Sequence, residues 1–222
     1  MRRFSFLPNL YVYLLLLLGL YGLKNWPLTY KILICLVVFL VFYVFRRSFI
    51  PYRDTLKNDG EIYLSPVHGI VESIRRDATS WDEVPFSHEV RISIGPWDEK
   101  GLYLPTAGEV SYLKATRGKK IDRGADAQEF YKPTTELSST ELVLTSKNFT
   151  KSLMRFIDCT YGQRPSMWLK SGDRGRGAAC FGYYPLGGTL IIYLPQNSDI
   201  LVFEKERVVP GQTVIAALKD VK

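Results

Sequence analysis

The sequence is poor in the residues from which disulfide frameworks and metal centres are built. It has three cysteines and two histidines in 222 residues. Cys35, Cys159 and Cys180 are odd in number and show no C-x-x-C spacing, so neither a disulfide framework nor a zinc site is predicted. His68 and His88 are too few for a multi-histidine site. We therefore expect no bound metal and a reducing environment such as the cytosol.

Most of the sequence also lacks an excess of charge. The chain has a formal net charge of +7 and an isoelectric point near 9.2. Residues 1–50 hold six basic residues and no acidic one, which leaves 23 basic against 22 acidic residues after position 50. Binding to a phosphate backbone requires a basic surface, so nucleic acid is not an expected partner.

Long apolar runs occur only in the N-terminal segment. Residues 10–23 and 32–45 carry no charged side chain. Each run has 14 residues. That is about 21 Å of helix, against a hydrocarbon core of about 30 Å. We predict a two-helix membrane hairpin over residues 1–50, followed by a separate domain over residues 51–222. Two tilted spans, which we favour, and a re-entrant hairpin both remain open.

The arginines around this segment indicate its orientation. Arg2 and Arg3 precede the first run, and Arg46, Arg47 and Arg53 follow the second. Cytoplasmic flanks of membrane helices are enriched in Lys and Arg. We therefore expect a membrane protein whose soluble domain lies on the cytoplasmic side. A cleaved signal peptide, the simpler alternative, would leave the second apolar run unexplained.

After residue 50 the sequence changes to short alternating or β-branched stretches. Gly, Pro, Asn and Asp separate them at short intervals, which is typical of an all-β domain with many short strands. Residues 149–157 show only a weak helical period, so we assign no element there. The predicted strands are 70–74, 89–94, 109–113, 142–145, 189–194, 199–203 and 213–217.

Two segments of this domain share one motif. Residues 66–71 and 105–110 both read P-x-x-G-x-V, 39 positions apart, which predicts two similar β-elements. Residues 208–214 add a Pro-Gly turn that leads into a strand. This opening and closing resemble the small barrel-sandwich hybrids of the lipoyl and biotinyl kind. We therefore predict a barrel-sandwich-hybrid-like domain.

Three stretches carry a more specific resemblance. Residues 45–51 (FRRSFIP) precede residues 65–71 (SPVHGIV), and RISI at 91–94 precedes PTAG at 105–108. The third stretch is FGYYPLGGTLIIYLP at 181–195. Their order and spacing resemble the short bacterial and archaeal type of phosphatidylserine decarboxylase. That family typically has SPADG-x-V in the first stretch, and Phe-Gly, four variable residues, Gly-Ser, a short strand and Tyr-Leu-Pro in the third.

The resemblance implies a chemistry that this sequence cannot perform at the expected position. In the family the serine hydroxyl of the Gly-Ser bond attacks the preceding carbonyl, and β-elimination then leaves a pyruvoyl group. That group forms a Schiff base with the amine of phosphatidylserine and draws electrons as CO₂ leaves. Here Gly188 stands at the serine position. Glycine has neither a hydroxyl nor a Cβ, so we expect no pyruvoyl cofactor.

Two partner positions of the family also differ. The aspartate of its first motif corresponds to His68. The histidine of its Asp-x-His segment corresponds to Lys100 when counted back from Pro105, or to Asp98 when counted forward from Ser93. The loss of all three groups predicts an inactive member. Its degenerate site comprises Gly187, Gly188, Thr189, His68, Lys100 and Asp98, and the two glycines predict a tight turn in one uncut chain.

Other residues offer alternative routes to catalysis. Attack by the Thr189 hydroxyl on the Gly188 carbonyl would lead to a 2-oxobutanoyl group, with His68 as general base. Against this, Thr189 aligns with a strand position that is not catalytic in the family. Cys180 has no charged neighbour in the sequence that would favour a thiolate, and we interpret it as a small buried residue.

The leading hypothesis is a membrane-anchored, catalytically inactive relative of phosphatidylserine decarboxylase with a lipid-binding or regulatory role. Its expected partners are membrane phospholipid and a homo-oligomer or active paralogue. Lys170, Arg174 and Arg176 of a Gly-rich loop are candidate lipid contacts. One alternative is an active decarboxylase making phosphatidylethanolamine by divergent processing, and only then is a pyruvoyl group expected. The other is a barrel-sandwich adaptor or a lipoyl-type carrier, with Lys100 as the modified lysine at a hairpin tip.

Overall fold

The computed structural model describes residues 27–44, 62–76, 86–122, 136–146, 148–160 and 164–218. The chain divides into two compact units, residues 1–49 and residues 50–222.

The first unit contributes one described helix, α1 (Leu28–Val44). It covers most of the second predicted apolar run, whereas the first run lies outside the described residues. Five large side chains in its first half are more than half exposed, namely Leu28, Tyr30, Ile32, Leu33 and Leu36. Of the helices that the structure describes, none has the length and apolar character needed to cross a membrane. The predicted two-helix membrane hairpin therefore has no support among the described residues.

The second unit is built from strands, as predicted for an all-β domain. The described strands are β1 (Ile62–Leu64), β2 (Gly69–Arg76), β3 (Phe86–Ile94), β4 (Gly101–Tyr103), β5 (Gly108–Thr116), β6 (Ser139–Ser146), β7 (Lys151–Ile157), β8 (Ser166–Met167), β9 (Arg174–Gly175), β10 (Cys180–Tyr183), β11 (Gly188–Pro195), β12 (Ser198–Ile200), β13 (Arg207–Val208) and β14 (Val214–Leu218). They form antiparallel sheets in the orders β13-β2-β3-β11-β7-β6-β5-β9, β1-β14-β12 and β4-β10-β8.

The large sheet consists of two similar halves, which account for the repeated sequence motif. β2 lies between β3 and the short β13, and β5 lies between β6 and the short β9. Each repeat places its glycine at the first position of β2 or β5, and the strand register shifts directly after its valine, Val71 or Val110. The prediction of two similar β-elements is confirmed.

The two motifs also contact each other reciprocally. The backbone N–H of Leu64 donates to the carbonyl of Pro105 at 2.8 Å, and that of Tyr103 donates to the carbonyl of Pro66 at 2.9 Å. Both members of each pair are displaced by the same 39 positions that separate the motifs in the sequence. The repeat is thus a local two-fold arrangement.

Two apolar clusters lie on opposite faces of the large sheet. β11 contributes Leu190 and Ile192 to the main core and Ile191 and Tyr193 to the smaller cluster. The main core also draws on strands of the two small sheets, including Tyr63, Leu102, Phe181 and Ile215. Because β11 is buried on both faces, its sequence is a continuous apolar run rather than an alternating one.

All seven predicted strands overlap observed ones, whereas seven described strands have no predicted counterpart, namely β1, β4, β7, β8, β9, β10 and β13. The strand predicted at 199–203 ends earlier, as β12 (Ser198–Ile200). The stretch 149–157, which received no assignment, contains β7. Six of its seven residues are buried, Ser152 and Arg155 among them, so polar and apolar residues do not alternate and the period-2 signal of a strand is weak.

Candidate functional site

The predicted site residues gather where β3 ends and β11 begins. Ile94 and Gly188 pair across these strands. A turn at residues 95–98 follows β3, with the Asp98 N–H donating to the Gly95 carbonyl at 3.3 Å. A turn at residues 184–187 precedes β11, with the Gly187 N–H donating to the Tyr184 carbonyl at 3.1 Å. We call these two turns the turn pair.

The second turn has an unusual backbone. Leu186 has a φ of 60° and Gly187 a φ of 75°. Pro185 in second position and a positive φ in third position are typical of a type II turn, where glycine or asparagine is preferred to leucine. Gly187 is required, because a Cβ there would lie against the carbonyl of Ile94 and 3.1 Å from the carbonyl oxygen of Gly95. The predicted tight turn is present.

The space next to Gly188 is filled by Tyr184. A Cβ built on Gly188 would lie 2.5 Å from Cζ and 2.8 Å from Cε1 of Tyr184, and closer still to the hydroxyl oxygen. Real Cβ atoms essentially never approach other heavy atoms this closely. A serine side chain at position 188 therefore has no room unless Tyr184 moves.

Tyr184 is held firmly in that position. Its side chain is fully buried in the main core, and its hydroxyl donates to the backbone carbonyl of Ile157 in β7. Its ring packs edge-on against Phe156, with 6.0 Å between ring centroids and 82° between ring planes. Tyr184 thus occupies the volume that the side chain of a processing serine would need.

These residues do not fit the pyruvoyl group that the family resemblance implies. Gly188 supplies none of the atoms from which it is formed, and the Tyr184 hydroxyl occupies the volume beside it. No step through that group follows from this site.

His68 and Asp98 form an acid–histidine pair. His68 Nδ1 lies 3.0 Å from Asp98 Oδ1, and Arg207 Nη2 donates to the same oxygen at 2.9 Å. The other oxygen, Oδ2, accepts the Gly95 N–H at 2.7 Å. Counted forward from Ser93, the family's histidine position is Asp98, and the family's aspartate position is His68. With that alignment, the two residue types are exchanged between these two positions.

Lys100 is buried beneath the same turn. Its side chain is 1% exposed, and its ammonium donates to the Gly95 carbonyl. Its backbone carbonyl accepts the Tyr184 N–H at 2.8 Å, which ties the two turns together. The prediction that Lys100 could serve as an exposed carrier lysine is wrong, because an enzyme that modifies a lysine must reach its amine.

Thr189 does not interact with His68. Its side chain is fully buried, and among the described residues its hydroxyl has no hydrogen-bond partner. Gly188 lies on the sheet face of Leu190, in the main core, whereas Thr189 lies on the face of Ile191. The structure therefore brings together five of the six predicted residues around Gly95 and leaves the threonine hydroxyl on the other face.

The predicted lipid-contact residues lie in or near β9, the strand at one edge of the large sheet. Lys170, Arg174 and Arg176 are exposed. Arg174 Nε donates to Glu109 Oε2 at 2.7 Å, so its charge is partly balanced. The Asp173 carboxylate accepts the backbone N–H of Lys170 at 2.7 Å and orders the start of the loop. Cys180 is partly buried, and its thiol contacts the Gly182 carbonyl at 3.5 Å.

Sequence reasoning missed Tyr184 and Arg207. Tyr184 falls among the four variable residues of the third stretch, so no motif marked it. A signal was nevertheless available, because a large residue four positions before a glycine can fold back over it across a turn. Arg207 is 109 residues from Asp98, and no local pattern connects them.

Comparison with known proteins agrees with the resemblance. No protein-family profile matches the chain. The chain is 29% identical over 182 residues to the phosphatidylserine decarboxylase proenzyme of Amoebophilus asiaticus, covering 80% of this chain and 75% of the relative. It is 26% identical over 190 residues to that of Neorickettsia sennetsu (83% and 79%) and 24% identical over 184 residues to that of Parabacteroides distasonis (82% and 80%). The chain is therefore similar to phosphatidylserine decarboxylase proenzymes over about four fifths of its length.

Proposed function

We propose that this protein is an uncut, catalytically inactive member of its family that acts in phospholipid metabolism by binding phospholipid, with a regulatory role. The observation that carries the proposal is the pair Gly188 and Tyr184, which removes the processing side chain and fills its place. The relatives are named for an enzyme that acts on phosphatidylserine, a membrane phospholipid.

The environment of Gly188 supports inactivity more strongly than the substitution alone. A glycine in an otherwise open site would be restored to function by one change to serine. Here the serine would also have to displace a buried aromatic ring that is hydrogen-bonded to Ile157. The family's histidine position holds either Asp98 or Lys100, and both side chains are engaged with the Gly95 turn.

We further propose that the N-terminal unit anchors the protein to a membrane, with the β domain on the cytoplasmic side and shaped as a barrel-sandwich hybrid. Support for anchoring comes from α1, whose Leu28, Ile32 and Leu36 expose most of their apolar surface. Side chains of this kind are stable in contact with lipid and costly in water. The main core, to which strands of all three sheets contribute, supports the barrel-sandwich shape.

Lys170 and Arg176 are proposed to contribute electrostatic attraction to anionic headgroups. Each exposed cation near such a surface contributes about 1 kcal/mol. Arg174 contributes less, because Glu109 balances its charge. Replacing Lys170 and Arg176 with glutamine should weaken association with vesicles containing phosphatidylglycerol. Arg117→Gln, which changes another exposed arginine, is the matched control.

Whether the chain is cut near residue 188 distinguishes the active-enzyme alternative from this proposal. We expect one species of 25.4 kDa on a denaturing gel and in the intact mass, with no added group. Gly188→Ser should also remain uncut, because Tyr184 still occupies the site. Two fragments divided near residue 188, with a carbonyl at the new N-terminus, would show that Thr189 or another residue performs processing and would overturn the proposal.

Phospholipid binding is tested directly on the uncut chain. Full-length protein should float with phospholipid vesicles in a density gradient and bind them more strongly when phosphatidylserine or phosphatidylglycerol is included. An uncut chain that shows no association with any of these vesicles would contradict the lipid-binding role.

A further inference from the structure

The turn pair exposes two large apolar side chains at its tips. Trp97 is 59% exposed and Leu186 is 41% exposed, each in the third position of its turn. A proline, Pro96 or Pro185, precedes each of them and fixes the backbone φ at the second position. The two turns are joined by the Tyr184–Lys100 backbone hydrogen bond and by the Ile94–Gly188 pair. Both tips therefore project from one rigid end of the sheet.

The backbone conformation at position 186 does not favour a leucine. A non-glycine residue at the φ of 60° found for Leu186 costs about 1–2 kcal/mol. Glycine or asparagine would avoid most of that cost, whereas leucine leaves 41% of its surface exposed here. Strained residues of this kind are concentrated at sites that contact ligands.

A cation is held beside these apolar tips. Asp98, adjacent to Trp97 in the chain, has a side chain only 8% exposed and binds Arg207, whose side chain is 63% exposed. Asp98 Oδ1 accepts from one terminal nitrogen, Nη2. The guanidinium has five N–H donors, and the described residues are seen to accept from one of them, so an anion can bind others. Aromatic and apolar side chains next to arginine are the composition found at a membrane–water interface.

We propose that the turn pair is the surface through which the β domain docks on a bilayer that contains anionic phospholipid. Trp97 and Leu186 enter the boundary between headgroups and acyl chains, and Arg207 binds lipid phosphate. This inference rests on the proposed function, since it names the surface that meets the phospholipid. It also differs from the basic loop of Lys170 and Arg176, which lies at the β9 edge of the sheet.

Single-tryptophan forms of the full-length chain distinguish the two surfaces. The chain has four tryptophans, Trp26, Trp81, Trp97 and Trp168. Replacing three of them with phenylalanine leaves Trp97 alone as a probe of the turn pair, or Trp168 alone as a probe of the basic loop. The probes are vesicles of phosphatidylcholine and phosphatidylglycerol whose acyl chains carry bromine near the headgroup. We expect blue-shifted, quenched emission from Trp97.

Arg207→Gln in the Trp97-only form tests the role of the cation. We expect the ratio of docked to undocked Trp97 to fall about fivefold in anionic vesicles, and to change little in pure phosphatidylcholine. Arg76→Gln is the matched control. Arg76 is an exposed arginine on β2. It lies six residues, or about 20 Å, from the Ile70 position that pairs with Arg207.

The outcomes separate this inference from the proposed function. A chain that floats with vesicles while Trp97 stays unquenched, whether or not Trp168 is quenched, would overturn docking through the turn pair and leave phospholipid binding standing. A chain that binds no vesicles would overturn both. Backbone hydrogen exchange of the unmodified chain gives a second measurement, because docking should slow exchange at residues 95–98 and 184–187.

Discussion

Gly188→Ala should destabilise the protein through a single steric conflict. The new methyl group meets the Tyr184 ring at 2.5 Å from Cζ and 2.8 Å from Cε1. The ring cannot swing aside, because its hydroxyl is bound to the Ile157 carbonyl and its edge packs on Phe156. Since Gly188 does not have a positive φ, backbone conformation adds no separate penalty.

The expected size follows from overpacking of a rigid core. Adding a methyl group to a well-packed interior costs about 1–3 kcal/mol, and this site belongs at the upper end because both neighbours of the ring are buried. For a domain of this size, each kcal/mol lowers the melting temperature by about 2–4 °C, so a cost of about 3 kcal/mol gives a decrease of roughly 6–12 °C. A total stability of about 5–15 kcal/mol is large enough for the variant to fold.

The measurement is thermal unfolding of the full-length chain by circular dichroism, in one buffer and detergent for all variants. Gly177→Ala is the matched control, because a Cβ there meets its nearest atom at 3.5 Å, an ordinary contact. Tyr184→Phe removes the closest atom, so Gly188→Ala should cost less in that background, with a coupling of about 0.5–3 kcal/mol. If Gly188→Ala is as stable as Gly177→Ala, then Tyr184 does not fill the serine position and the argument for inactivity loses its basis.

Three further predictions concern the surrounding residues. Asp98→Ala should lower the free energy of unfolding by about 1.5–3 kcal/mol, because three donors lose a buried carboxylate, whereas Asp122→Ala on the surface should have little effect in the same thermal assay. Leu186→Asn should raise the melting temperature, because asparagine tolerates the positive φ at this turn position, and an unchanged or lower value would indicate that the leucine is not strained. Burial raises the pKa of Tyr63 above its usual value of 10.0. The unfolded chain therefore releases this proton first, so the stability contributed by the neutral phenol is complete below about pH 10 and is lost as the pH rises toward the folded-state pKa, by up to about 1.4 kcal/mol per pH unit. Tyr63→Phe should reduce this loss of stability at alkaline pH. If the dependence of stability on pH is unchanged in the variant, another group causes the loss.

The sequence predicted the parts of the fold that local patterns encode. Apolar and polar residues alternate in the sequence, or the repeated motif marks the start, in the three strands β2, β3 and β5. Each of these strands was predicted within a few residues. β7 was missed because both of its faces are buried. Gly188 could be identified from the sequence alone as unable to form a pyruvoyl group, since the absence of a hydroxyl does not depend on packing.

The rest of the site depends on contacts between distant parts of the chain. The pairing of His68 with Asp98 and Arg207 joins three segments that only the sheet order brings together. Lys100 reads as a charged loop residue in the sequence, yet the two turns enclose it. Tyr184 is informative only when the distance from its ring to Gly188 is known, and that distance is set by the turn between them.

The position of Gly188 in the sheet also determines how a break in the chain would behave. β11 starts at this residue and pairs with β3 on one side and β7 on the other, and the following segment supplies β12, β13 and β14 to two sheets. Loss of the peptide bond before residue 188 would therefore remove a covalent link without removing the contacts that hold the two pieces together. Cut and uncut chains would elute as one particle under native conditions. The peptide bond before residue 188 is thus not needed to hold the domain together. Fragments 1–187 and 188–222, made as separate polypeptides, should assemble into the same domain.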